Sequence, residues 1–105
     1  MFVQASSGNS SVVLGTGVDI SNYSAAAGTW YSAPSDGYLN IGLNTGSTGL
    51  LSITMKDKNG NGDLVVVATE YSKSVITYVK KGFQMQKRAT TSVSGNHFVT
   101  FYPLQ

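Results

Sequence analysis

The sequence predicts an all-β domain, an antiparallel β-sandwich of the jelly-roll type. No window of about eleven residues places apolar side chains at helical spacing. Short runs of β-branched and aromatic residues recur instead, separated about every ten residues by turn-forming residues such as glycine, serine and asparagine. Some of these runs alternate between apolar and polar residues, as half-buried strands do. Many short strands of this kind typically pack as two face-to-face sheets.

Nine strands are predicted, because each range combines β-forming residues with turn residues at its ends. They cover residues 11–14, 18–20, 28–32, 37–43, 50–56, 63–70, 74–79, 82–88 and 96–102. The most helix-like piece, residues 24–27, runs into Gly28 within one turn and is predicted to be a loop.

The period-two pattern is clearest in strands 37–43 and 50–56, where every second residue is large and apolar. These residues are Leu39, Ile41, Leu43, Leu51, Ile53 and Met55. Successive side chains of a strand point to opposite faces, so this set is predicted to face the core. The run from Leu64 to Ala68 has no polar alternation, which predicts cover on both faces, either inside the sandwich or against another subunit.

Composition limits the classes of partner. The chain has 105 residues, which fits one domain, and a domain of this size buries only about two-thirds of the surface of its unfolded chain. It has no cysteine, so disulfides cannot reinforce the thin core, and self-association is the expected substitute. With 11% charged residues and a net charge of +2, nucleic acid is not expected as the main partner. No apolar run is long enough to predict a membrane span, and no cofactor is expected.

The first 25 residues are dense in glycine and serine, and we expect them to form an extended attachment segment ahead of a sandwich domain over residues 26–105. The N-terminus lacks a basic start followed by an apolar segment, so no cleaved secretion signal is predicted. Synthesis in the cytoplasm is expected, followed either by work there or by release through a route such as lysis.

The segment MKDKNGNGDL has two interpretations. Asp57, Asn59, Asn61 and Asp63 place oxygen atoms at alternate positions, as a calcium loop does. However, the position of the bidentate glutamate in such a loop is occupied by Ala68, and the flanks are predicted strands. A hairpin turn is the favoured interpretation, since Asn-Gly is a strong hairpin signal.

Catalysis is not predicted. His97 is the single histidine and has no serine or carboxylate at a recognisable spacing, so an exposed histidine at the start of a strand is the simpler interpretation. A pair of glycosidase carboxylates could come only from the five acidic residues, and no spacing favours any pair. These are Asp19, Asp36, Asp57, Asp63 and Glu70.

One region is cationic and contains no acidic residue. It comprises Lys73, Lys80, Lys81, Lys87 and Arg88. It could attract an anionic glycan or a capsid surface. The simpler interpretation is a set of solvated strand ends that guard an edge against unwanted pairing.

The aromatic pair Trp30 and Tyr31 could stack on sugar rings, with Ser32, Ser35 and Asp36 available to bond hydroxyl groups. Neighbouring strand residues point to opposite faces, so both rings cannot form one flat platform. We expect Trp30 to lie inward or at a subunit interface, which leaves any sugar contact to Tyr31.

Three segments, WYSAPSDGYLNIGL, SVITYVKKGFQMQ and HFVTFYPL, occur in this order over residues 28–105. Together they resemble phage fibre and head-decoration domains, and they are similar to the trimeric jelly rolls of the tumour necrosis factor and complement globular-head families. The turn that enters the sandwich in those families is matched by Ala33, Pro34, Asp36 and Gly37. Phe83 is a departure, since a polar residue usually follows the Lys-Gly turn.

The resemblance implies a homotrimer of β-sandwich subunits in a virion, made in the host cytoplasm, with capsid or other virion proteins as partners. Phe101 or Tyr102, together with Tyr78, is expected to pack against another subunit, and Trp30 is a further interface candidate. Loops around Ser47 and Asn59 are candidates for optional contact with host-surface glycans. Capsid decoration and fibre head both stay open.

A second class of function is a lectin-like carbohydrate-binding module that acts alone, with Trp30 or Tyr31 as its anchor. An accessory domain of a secreted enzyme would need a catalytic domain in the same chain, and these residues contain none.

Overall fold

The computed structural model describes residues 3–4, 11–62, 64–69 and 74–105, which form eleven strands and no helix. The strands are β1 (Val3–Gln4), β2 (Ser11–Val12), β3 (Val18–Asp19), β4 (Tyr31–Ser32), β5 (Gly37–Leu43), β6 (Thr48–Lys56), β7 (Leu64–Ala68), β8 (Ser74–Val79), β9 (Gln84–Lys87), β10 (Ser92–Ser94) and β11 (His97–Pro103). Every pairing between named strands is antiparallel. No helix in the described part of the chain could cross a membrane.

Two sheets form the sandwich. Sheet one has the order β3-β11-β5-β8, and sheet two has the order β7-β6-β9-β4, with β10 continuing the line of β9 along β6. The chain visits sheet one with β3, sheet two with β4, sheet one with β5, and sheet two with β6 and β7. It then returns to sheet one with β8, to sheet two with β9 and to sheet one with β11. This alternation is the jelly-roll connection, so the predicted all-β sandwich is confirmed.

The core is one apolar layer between the sheets. The inward residues of β5 and β6 are the predicted ones, and β11 adds Val99 and Phe101. The buried set is Ile20, Ala33, Leu39, Ile41, Leu43, Leu51, Ile53, Met55, Val66, Ala68, Val79, Met85, Val99 and Phe101. Each strand contributes alternate residues to this layer, which is why the period-two pattern predicted the buried residues of β5 and β6.

The observed strands follow the predicted ones closely, with two differences. The predicted strand 28–32 forms only at Tyr31–Ser32, because Gly28 has a φ of 68° in a turn. Strand β10 was not predicted. It pairs with the start of β6 where Gly49 has a φ of 117° and lies so close to the Ser92 carbonyl oxygen that a β-carbon would not fit.

Two predictions about burial are wrong. The run Leu64–Ala68 is covered on one face only: Val66 and Ala68 are buried, whereas Val65 and Val67 are exposed on the outer face of edge strand β7. The predicted domain boundary at residue 25 would also leave Ile20 outside the sandwich, although its side chain lies in the core. Since β3 pairs with β11, the sandwich begins before that boundary.

The corner at Asp36 joins the three segments that carry the resemblance. Its carboxylate accepts a hydrogen bond from the Lys81 amide at 2.8 Å, and its backbone carbonyl accepts one from the Leu104 amide at 2.8 Å. Phe83, the departure from the family pattern, packs against the core, and its carbonyl accepts a hydrogen bond from the Ala33 amide. The corner therefore fastens the entrance of β5 to the turn after β8 and to the end of β11.

Phe101→Ala should destabilise the fold by about 3–5 kcal/mol, because the Phe101 ring is 0% exposed and its removal leaves a cavity between the sheets. Phe98→Ala on the same strand is the matched control. Phe98 is half-buried, on the outer side of β11, so its loss should cost clearly less. Urea denaturation at one fixed protein concentration measures both, and equal losses would contradict the inward placement of Phe101.

Candidate functional site

Three tyrosines form a row on the outer face of sheet one. Tyr102 of β11 pairs with Tyr38 of β5, which in turn pairs with Tyr78 of β8. The rings of Tyr38 and Tyr78 meet edge to face, with centroids 5.6 Å apart and an interplanar angle of 68°. Tyr78 is 45% exposed, although it lies within a regular strand. We call this surface the tyrosine face.

The next row of the tyrosine face contains an unsatisfied polar group. Thr100, Asn40 and Ile76 lie side by side on β11, β5 and β8. Within the described ranges, Asn40 Oδ1 is the one buried side-chain polar atom without a hydrogen-bond partner. A buried acceptor without a donor typically costs about 1–3 kcal/mol.

Tyr78, on the tyrosine face, interacts with the carboxylate of Asp36. Hydrogen bonds from the Lys81 amide and from the Tyr78 hydroxyl lower the pKa of Asp36. The same bond to Asp36 raises the pKa of Tyr78. The hydroxyl group of Tyr78 therefore stays protonated and donates a hydrogen bond to the Asp36 carboxylate. This bond fixes the orientation of the Tyr78 side chain.

The structure reverses the predicted placement of Trp30 and Tyr31. Tyr31 points inward, 5.3 Å from the ring of Tyr23 and 5.9 Å from that of Phe101, and this burial raises the pKa of Tyr31. Trp30 lies on the outer face of sheet two, with Lys56 Nζ 4.9 Å from its ring centroid. Tyr31 is thus a core residue and is unsuitable for the predicted sugar contact.

Two other predicted contact residues are in the wrong place. Phe101 is completely buried within its own subunit, so it cannot be the predicted interface residue, whereas Tyr78 and Tyr102 stay accessible. Ser47 is 3% exposed, and its hydroxyl accepts a hydrogen bond from the Asn96 amide at 2.8 Å. Its role is therefore to hold two loops together, and the ligand contact predicted for Ser47 is wrong.

The segment after β6 forms a turn around Asp57. One carboxylate oxygen of Asp57 accepts hydrogen bonds from the amides of Asn59 at 2.9 Å and Asn61 at 2.8 Å. Gly60 and Gly62 both have positive φ, as the favoured hairpin interpretation requires. Asp63 lies outside the described residues, and the rest contain no group of three His, Asp or Glu side chains able to hold a metal ion. The Asn59 side chain is exposed.

His97 does begin a strand, as expected, but it is half-buried and has a cationic neighbour. Lys87 Nζ lies 3.3 Å from His97 Nε2 and joins the ends of β9 and β11 across the two sheets. Burial lowers the pKa of His97, and the positive charge of Lys87 lowers it further, against a smaller opposing effect of Asp19. The neutral imidazole therefore accepts a hydrogen bond from the ammonium group.

The cationic region is not a guard within an edge strand. Lys80 and Lys81 lie in the turn after β8, Lys87 ends β9 and Arg88 follows it. Lys73 is outside the described residues. Lys80, Lys81 and Arg88 are exposed at strand ends, as expected, whereas none of these four side chains lies within an edge strand.

Sequence reasoning missed Tyr38 and the Lys87–His97 contact. The signal for Tyr38 was available, because it alternates with the buried Leu39 just as Tyr102 alternates with Phe101. The contact between Lys87 and His97 depends on the packing of two sheets, and no local pattern encodes it.

Comparison of the chain with protein-family models, with curated proteins and with solved structures gave no match. Function must therefore be argued from the surfaces of this chain.

The free energy of unfolding should fall with acidification below about pH 6.5, because the unfolded chain then binds a proton that the folded chain resists at His97. The stabilisation is complete above the unfolded pKa of 6.5 and is lost as the pH falls through the lower folded pKa. His97→Gln should reduce the dependence of the free energy of unfolding on pH in this range. The lowered pKa of Asp36 changes the free energy of unfolding only in more acidic solution, below its ordinary pKa of 3.8. Denaturant titrations between about pH 7.5 and pH 5, a range that spans the ordinary pKa of histidine, measure the free energy of unfolding of both proteins. Identical slopes in the two proteins would refute the assignment.

Proposed function

We propose that this chain is a non-enzymatic structural protein of a phage virion, assembled as a homotrimer that decorates a capsid or forms the head of a fibre. Its partners are other copies of itself and capsid or other virion proteins. The observation that carries the proposal is the tyrosine face, an uncharged aromatic sheet surface on which Tyr78 is 45% exposed.

The composition of the tyrosine face suits contact between subunits. The central parts of protein interfaces are enriched in aromatic residues and depleted of charge. The three tyrosines, Asn40 and Thr100 carry no charge, and the tyrosine and threonine hydroxyl groups can both donate and accept hydrogen bonds. The order of the three resembling segments adds support, because the Asp36 corner brings all three together.

The work of such a protein is mechanical. Two sheets fixed across one core, with the Asp36 corner fastening three segments, give a rigid body that can cap a particle or a fibre. The exposed turn at Asn59 supplies a site for optional contact with a host-surface glycan.

The purified chain should have a mass near three times, or a multiple of three times, its monomer mass of 11.1 kDa by light scattering. Tyr102→Ser should weaken the threefold contact by about 2 kcal/mol or more, as loss of a central aromatic anchor does. Trp30→Ala on the opposite outer face is the control and should leave the mass unchanged. A stable monomer at micromolar concentration would refute the trimer.

Mass spectrometry of phage particles purified from a lysate of the encoding strain tests the virion assignment directly. We expect peptides of this chain to co-purify with the particles through a density gradient in stoichiometric amounts. Recovery of the chain only in the soluble fraction would refute a virion role, whatever its oligomeric state.

A second function, binding of carbohydrate, is favoured by the outer face of sheet two. Ser32, Gln84 and Lys56 lie in one row across β4, β9 and β6, and Trp30 precedes them on the same face. An indole ring beside an amide, a hydroxyl and an amine offers both stacking and hydrogen bonding to a sugar.

A glycan array probed with the isolated protein tests this second function. Binding that disappears in Trp30→Ala, with an unchanged unfolding curve, would support it. Val65→Ala, on the same outer face but on the far edge strand β7, is the control and should bind as the natural protein does. Absence of binding to any array sugar would remove this candidate.

A further inference from the structure

The four edge strands of the sandwich are protected very unequally. On one side lie β3 and β4, each two residues long. Asp19 places a charge in β3, and Pro34 lies two residues beyond the end of β4. Short edges, charges and proline are the usual devices that prevent sheets from pairing edge to edge. This side is therefore protected against edge-to-edge pairing both by its short strands and by a charge or a proline.

The opposite side has no such device within its strands, although Lys80 and Lys81 follow the end of β8. It is formed by β7, Leu64–Ala68, and β8, Ser74–Val79, which lie against each other across the sandwich as the outermost strands of sheet two and sheet one. Neither strand contains a charge or a proline. Within the described part of the chain, nothing pairs with the far side of either strand.

Apolar side chains on this side are also unusually exposed. Ile76 is 38% exposed and Tyr78 is 45% exposed, and both lie on β8, the outermost strand of sheet one. Leu64, Val65 and Val67 of β7 are exposed as well. A long, uncharged and apolar edge is a template for pairing with another strand, because its outward amides and carbonyls are unused.

We propose that the β7–β8 side is a twofold contact with a second copy of this chain. A single twofold axis perpendicular to the sheets reverses strand direction and keeps each sheet in its own layer. It therefore pairs β8 with β8 and β7 with β7 of the second copy, both antiparallel. One operation satisfies both unguarded edges and extends each sheet to twice its number of strands.

The uncharged strands suit a second copy as the occupant, and the small area predicts a weak contact. Identical strands without charge meet without repulsion, which would not hold for β3 with its Asp19. The side is about 17–20 Å long, from strands of five and six residues, and the molecule is 20 Å across its thinnest dimension. The resulting area of about 400 Å² is half of the roughly 800 Å² per partner in a standard interface. Association should thus depend on concentration and gain from the new backbone hydrogen bonds.

This contact is distinct from the threefold contact of the proposed function and does not rest on the virion assignment. Sedimentation velocity from micromolar to millimolar concentration should give even-numbered assemblies of the natural chain, dimers or hexamers. Val67→Lys would place one ammonium group on each copy close to the twofold axis, on the β7 strand and away from the tyrosine face, and we expect at least a tenfold weaker even-numbered association. Val18→Lys is the matched control, since Val18 is 38% exposed and lies on the opposite edge of the sandwich.

The combined result separates the two contacts. In Tyr102→Ser the twofold contact should survive as a dimer of two 11.1 kDa chains, whereas in Val67→Lys a threefold contact should survive as a trimer. Monomers or trimers alone in the natural protein would overturn the proposal, as would open-ended polymers or an equal effect of Val18→Lys.

Hydrogen exchange on the natural protein decides the question if Val67→Lys does not fold. Among the described residues, no strand pairs with the side of β8 that faces away from β5, so the alternate β8 amides on that side have no strand partner there. They should become at least tenfold more protected from exchange as concentration rises through the assembly range. Protection that does not change with concentration would overturn the pairing of β8 with a second copy.

Discussion

A single apolar layer between two sheets is the constraint on which this molecule depends. Without cysteine, the sandwich has only this layer to hold it, so every strand must present the right residues inward. Successive side chains of a strand point to opposite faces. The inward position of Leu39 therefore places Tyr38 on the outer face, and the inward position of Phe101 places Tyr102 there. The core and the tyrosine face are thus two sides of one pattern, and a change of register by one residue would exchange them.

The same constraint explains why the surfaces differ so much from one another. Nine strands in two layers leave two outer faces and several edges, and a small chain cannot make all of them polar. The outer face of sheet two carries glutamine, serine and lysine around Trp30. The tyrosine face carries aromatic rings, and the two long edge strands carry aliphatic side chains. These uncovered apolar surfaces are the basis of the proposed assembly.

The sequence predicted the fold class and most strands because their signals are local: period-two alternation and turn residues. It misplaced Trp30 and Tyr31, although counting in steps of two from buried Ala33 would have placed Tyr31 inside and Trp30 with Ser32 outside. Strand β10 contains one apolar residue and depends on the bond between Thr91 and Ser52, which are far apart in sequence. Burial of Ser47 and the Lys87–His97 contact likewise arise only when distant loops and sheets meet.

The position of β11 has a consequence for how the chain reaches this fold. The strand comes last of the eleven, yet it lies inside sheet one, between β3 and β5. Neither neighbour can complete its ladder, and the core cannot close over Val99 and Phe101, until this strand has left the ribosome. Contacts between such distant segments make folding slow. During synthesis, the edges of β3 and β5 that pair with β11 therefore stay unpaired until this last strand emerges.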